Sequence, residues 1–253
     1  MNDGATAANK VAAVTAAFWV MKICATTLGE TAGDLLSMTM GIGYALSSVL
    51  LIGLFLVTLC AQLLASRFHP LLYWSVILTT STAGTTISDY LDRSLGLGYA
   101  GGALILVTGL ALMLTAWRLT EGTISVAHIH TRRAESFYWL AILLSNTLGT
   151  AFGDFLADDS GLGFIGGAAL ISAALAVLLA LHRFAIGNRV ILFWLAFVLT
   201  RPLGATLGDM LTKPIAAGGL NLGTIGASTV LAAVLLGLIL LTSDRARRTD
   251  LAA

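Results

Sequence analysis

Four times along this chain an aromatic–tryptophan pair is followed, at fixed intervals, by a glycine and an aspartate. The pairs are Phe18-Trp19, Tyr73-Trp74, Tyr138-Trp139 and Phe193-Trp194. Ten residues after each Trp stand Gly29, Gly84, Gly149 and Gly204; fifteen after it stand Asp34, Asp89, Asp154 and Asp209. The residue before each aspartate is small: Gly33, Ser88, Gly153, Gly208. A glycine-rich exit follows in each copy, at Gly41–Gly43, Gly96–Gly98 and Gly161–Gly163, and in a longer form at Gly218–Gly223. Such self-similarity requires one structural unit used four times. The repeats span about 11–66, 67–120, 131–183 and 187–243, within a single membrane domain covering 1–253.

Each copy holds two apolar runs, giving eight candidate spans near 11–30, 44–65, 71–90, 99–118, 136–155, 164–182, 190–209 and 223–242. About twenty apolar residues suffice for a helix to cross a bilayer, and in lipid the backbone must satisfy its own hydrogen bonds. The chain is 57% hydrophobic and only 11% charged, against roughly 25% charged in a soluble domain. The expectation is an all-α polytopic membrane protein, eight transmembrane helices built from four helical hairpins. With an even count both termini share one side, and the four aspartates share one depth on the other.

Loop charge orients the chain. Lys10, Arg67, Arg118, Arg132, Arg133, Arg183, Arg189, Arg245, Arg247 and Arg248 fall on the termini side; only Arg93 and Lys213 fall on the aspartate side. Positive loops stay cytoplasmic, so both termini are expected there, in an inner membrane, with each Trp in the interfacial belt. The net charge of +1 gives no case for nucleic-acid binding. Cys24 and Cys60 lie in apolar runs and read as packing residues. No nucleophile–base pairing is visible, so neither an enzyme nor a bound cofactor is expected.

Fifteen residues of helix rise about 22 Å, short of the roughly 30 Å hydrocarbon core. The aspartates then lie inside the membrane or at the floor of a vestibule, where a carboxylate faces protein or water. Two readings stand side by side: a cation site, or caps of the glycine-rich turn. The glycines and the small residues four positions later share a face, a small-xxx-small contact for close helix packing. The copies also differ. Glu30 stands where the others have Thr85, Thr150 and Ala205, and shares a helix face with Asp34. Two carboxylates on one turn suit Mn²⁺, Mg²⁺ or Ca²⁺, or a proton. Seven residues after each Trp stand polar Thr26, Ser81, Asn146 and Arg201, which form either a hydrated path or interhelical hydrogen bonds. Arg201 is the expected counter-ion of the acids. Lys22 either snorkels to the interface or points inward towards Glu30. Asp92, Asp158 and Asp159 are expected in solvated outer turns or as an acidic mouth, and His128 and His130 in a cytoplasmic loop.

The segment Trp19 to Asp34 and its three echoes resemble a family of bacterial membrane proteins known by a repeat of unknown function, whose hairpins bear a Gly-Asp signature. Gly33-Asp34, Gly153-Asp154 and Gly208-Asp209 carry it literally; Ser88-Asp89 departs from it. The resemblance implies the membrane fold and no activity. Glu30-Thr-Ala-Gly33-Asp34 is also similar, with one residue more between the acids, to the Glu-x-Gly-Asp of manganese and calcium exporters. The expected function is secondary transport of a divalent metal cation, Mn²⁺ favoured and protons a possible coupling ion. Asp34, Asp89, Asp154, Asp209 and Glu30 are the metal ligands; Arg201, Lys22 and Asn146 are counter-ion or substrate contacts. Transport of an anion or small organic solute, or a non-transporting structural role, are the alternatives. The expected partners are the lipid bilayer, a metal ion or small solute, and further copies of the chain.

Overall fold

A computed structural model describes residues 11–126, 129 and 131–252, with side chains to residue 243. His128 and His130 lie outside the described residues, and so does the expectation attached to them. The described residues form eight α-helices: α1 (Ala16–Asp34), α2 (Tyr44–Leu64), α3 (Pro70–Asp89), α4 (Gly98–Glu121), α5 (Arg132–Asp154), α6 (Gly163–Arg183), α7 (Arg189–Thr212) and α8 (Gly223–Ala252). The starts of the odd helices are written locally. Thr15 and Thr131 accept from the backbone of Phe18 and Ala134, Asn188 accepts from Val190 and Ile191, and Pro70 opens α3.

The odd helices α1, α3, α5 and α7 pack in a closed ring, each against the next and α7 against α1. The even helices form an outer shell. The sequence hairpin is not the packing unit: α2 lies on α3, α4 on α5, α6 on α7, and α8 returns to α1. Each copy thus covers its successor, and the fourth closes the circle on the first. A turn that carries the chain away from its own odd helix makes this possible. In the first three copies a one-turn π-helix follows the aspartate directly, over Leu35–Thr39, Tyr90–Ser94 and Phe155–Asp159. Then come glycines that start the even helices with φ between +66° and +81°, at Gly43, Gly98 and Gly163, a region that residues with a Cβ rarely adopt.

The ring is tight because of its glycines. A Cβ on Gly29 would fall 2.2 Å from the Ser81 hydroxyl, and one on Gly84 would fall 2.9 Å from the backbone nitrogen of Thr147. On Gly149 it would meet Arg201 at 2.3 Å, and on Gly204 it would meet Thr26 at 2.4 Å. The glycine of each copy therefore receives the polar residue seven past the Trp of the next copy, four times around. Gly33, Gly153 and Gly208 repeat the arrangement one turn on, against Thr85, Ala205 and Glu30.

The tryptophans are not the interfacial belt expected. Trp74, Trp139 and Trp194 are buried and Trp19 is partly so. Each packs against the aromatic residue of the preceding copy, closing a second ring: Phe18–Trp74 at 5.8 Å, Tyr73–Trp139 at 5.4 Å, Tyr138–Trp194 at 6.4 Å and Phe193–Trp19 at 5.8 Å between centroids. Aromatic pairing across the helix seam outcompetes an interfacial position because it buries large rings against one another.

Outside, the even helices present apolar side chains such as Leu46, Val49, Leu104, Ile165 and Val230. Contiguous exposed apolar area on this scale does not face water. Six helices are long and apolar enough to cross a membrane; α1 and α3 fall short. Their polarity has a structural reason. Thr80, Ser81, Thr85, Thr86 and Ser88 of α3 are all buried inside the protein.

Candidate functional site

The ring axis is a stack of levels four residues apart, about 6 Å each along an α-helix. At the aromatic end Tyr73 and Tyr138 share a hydrogen bond of 2.7 Å between their hydroxyls. The next level holds Lys22, Ile77, Ile142 and Phe197, all fully buried. Lys22 therefore points inward and does not snorkel. Its ammonium sits 4.3 Å over the Phe197 ring and donates to Asn146 Oδ1 at 3.4 Å, so its polar partner is Asn146 and not Glu30. Asn146 in turn donates to Thr80 at 3.1 Å. Thr26, Asn146 and Arg201 of the polar row thus make interhelical hydrogen bonds, while the Ser81 hydroxyl is buried against Gly29 without one.

Arg201 occupies the centre. From its place on α7 it pairs with Glu30 Oε2 of the neighbouring α1 at 2.9 Å. It also donates to the Thr26 carbonyl at 3.0 Å, the Ser81 carbonyl at 3.3 Å, Thr150 at 2.7 Å and Thr85. Glu30 further accepts from Thr85 at 3.2 Å and Thr150 at 3.5 Å. All four copies contribute to this knot. Arg201 is a counter-ion, as expected, but of Glu30 and not of the aspartates.

The four aspartates sit one level further out, all buried. At the entry to the π-helices, Asp34, Asp89 and Asp154 make no side-chain capping hydrogen bond. Two cations hold them in pairs. Arg93 bridges Asp89 at 2.9 Å and Asp154 at 3.4 Å; Lys213 bridges Asp209 at 3.2 Å and Asp34 at 3.6 Å. By sequence position both count among the outer loop charges. Each stands four residues past its own aspartate, the helical spacing of an ion pair, which was the signal available. Burial alone would lower the Lys213 ammonium, but Asp209 and Asp34 beside it outweigh that and hold it above its usual value.

The acids are therefore not one equivalent cluster. Glu30, Asp34 and Asp209 have carboxylate oxygens within 4.8 Å of one another. A single ion with ligands at about 2.0–2.6 Å fits that separation. Asp89 and Asp154 are drawn to Arg93 and lie outside that group. Asp92 is buried too: Ser88 donates to it at 3.1 Å, and its carboxylate packs on Gly102 of α4. Asp158 and Asp159 are exposed, and Asp158 accepts from Tyr99 at 3.2 Å. Cys24 is buried and Cys60 exposed, both as free thiols.

A family described as Repeat of Unknown Function (DUF347) matches the chain four times, over residues 17–68, 72–123, 137–186 and 192–248. No curated protein and no solved structure matches it.

Proposed function

The chain belongs to that family of four-copy repeats, and from this premise we propose that it is an eight-span inner-membrane transporter of a divalent cation, Mn²⁺ favoured, with both termini cytoplasmic. The observation that carries the reading is the cluster of Glu30, Asp34 and Asp209. Its donors are all oxygens, which suit hard cations, and Cys and His are absent from it. Arg201 is taken up by Glu30, which leaves Asp34 and Asp209 with Lys213 as their cation. Lys213 fills the site as a tethered cation. It lies just past the end of α7 and is 26% exposed, so it can withdraw when an ion arrives. The orientation rests on loop charge. It is stronger than the bare count, because the two cations at the aspartate end are tied to acids.

The competing reading is a non-transporting structural protein. The closeness of the ring, with glycine faces that admit no Cβ, favours it. An anion as cargo is poorly supported, since Arg201 already meets a carboxylate, two hydroxyls and two carbonyls.

Thermal denaturation of the detergent-purified protein in Mn²⁺, Mg²⁺, Ca²⁺ and Zn²⁺ separates the readings. An ion at about 100 times its Kd stabilises the native state by about 2.7 kcal/mol. Mn²⁺ is expected to raise the melting temperature, and Asp209→Asn to abolish the rise. Lys213→Met removes the competitor and is expected to tighten Mn²⁺ binding at least about tenfold, since charges 4 Å apart at a protein surface interact by several kcal/mol. If no ion stabilises the protein, or if Lys213→Met weakens binding, the site is not a cation site.

A further inference from the structure

A groove of about 760 Å³ opens on the outside of the ring, along the seam of α1 and α7. The far wall is α6, and Ser125 and Val126 of the α4–α5 connection close one end. Among the described residues none of α8 lines it. We propose that this groove holds one acyl chain of an anionic phospholipid, with the phosphate at Arg189 and His182. The proposal rests on the membrane-spanning reading and not on the transport reading.

Charge and length identify the occupant. Polar groups gather at one end, where Thr15, His182 and Arg189 begin or end their helices. Arg189 lines this end and the last turn of α6 carries His182 and Arg183, so the end is basic. A basic mouth beside membrane helices recruits anionic headgroups by about 1 kcal/mol per cation. From there the lining turns apolar, through Ile23, Leu179, Phe193 and Ala196. It ends at Thr200, whose hydroxyl is turned to the Phe197 carbonyl at 2.7 Å. Arg189 to Thr200 is eleven residues of one helix, about 16 Å. Half of a roughly 30 Å hydrocarbon core is about 15 Å. The groove is therefore as deep as one leaflet, charged where a phosphate lies and apolar where a tail lies.

The test reconstitutes the full chain in nanodiscs of equal parts phosphatidylglycerol and phosphatidylcholine and reads retained lipid by native mass spectrometry. Phosphatidylglycerol is expected to be retained in preference. Arg189→Gln is expected to reduce that preference about five-fold. Ala196→Trp fills the groove and is expected to abolish retention of either lipid without moving the metal response. If Ala196→Trp does not fold, Ala176→Phe fills the groove from α6 and is read the same way. Equal retention of both headgroups, or retention indifferent to the filled groove, overturns the proposal.

Discussion

Replacing Arg201 with leucine is expected to destabilise the protein by about 3–5 kcal/mol, the usual cost of removing one partner from a buried ion pair. Glu30 would keep only the Thr85 and Thr150 hydroxyls, with no opposite charge in contact. The loss is expected in denaturant unfolding in micelles and as a lowered melting temperature. The double change Glu30→Met with Arg201→Leu removes both charges and is expected to recover most of the loss, because an apolar pair avoids the desolvation cost. A single variant costing less than about 1 kcal/mol would mean that the two side chains are not each other's charge partner.

The second large effect belongs to the glycine faces. Gly84→Val is expected to cost about 3 kcal/mol, at the upper end of overpacking. Its Cβ would meet backbone atoms of Asn146 and Thr147 at 2.9–3.0 Å, and backbone cannot rotate aside. Helices α3 and α5 must part, and the ring with them. Gly53 on α2 and Gly109 on α4 have nothing within 4 Å of their Cβ positions, so Gly53→Ala and Gly109→Ala are expected to cost nothing measurable. Equal effects at Gly84 and Gly109 would show that helix propensity, and not close approach, sets the penalty.

The register of the four copies could be read directly, because a fixed interval from Trp to Asp forces equivalent depths. The inward face was also legible. Small residues four apart define a stripe, and that stripe is the ring seam. Which helices pair was not legible. Adjacency along the chain favours a hairpin, while α2 lies on α3, and only the three-dimensional turn after each aspartate decides that. The π-helices that make this turn carry no spacing of their own to read. Trp194 was misplaced because an aromatic at a helix start looks alike in a lipid belt and in a protein seam; the Tyr138 ring across the seam is the difference. Arg93 and Lys213 were legible in principle. A count of loop charges hid what the four-residue spacing to Asp89 and Asp209 says.

The most direct test of the account is Mn²⁺ uptake into proteoliposomes by the wild-type chain and by Asp34→Asn. Asp34 bridges to Lys213 and shares the oxygen cluster with Glu30 and Asp209, while the substitution keeps its shape and removes its charge. The account predicts saturable Mn²⁺ flux in the wild type and flux at the level of empty liposomes in the variant. Wild-type flux at the empty-liposome level, or equal flux in both proteins, contradicts it.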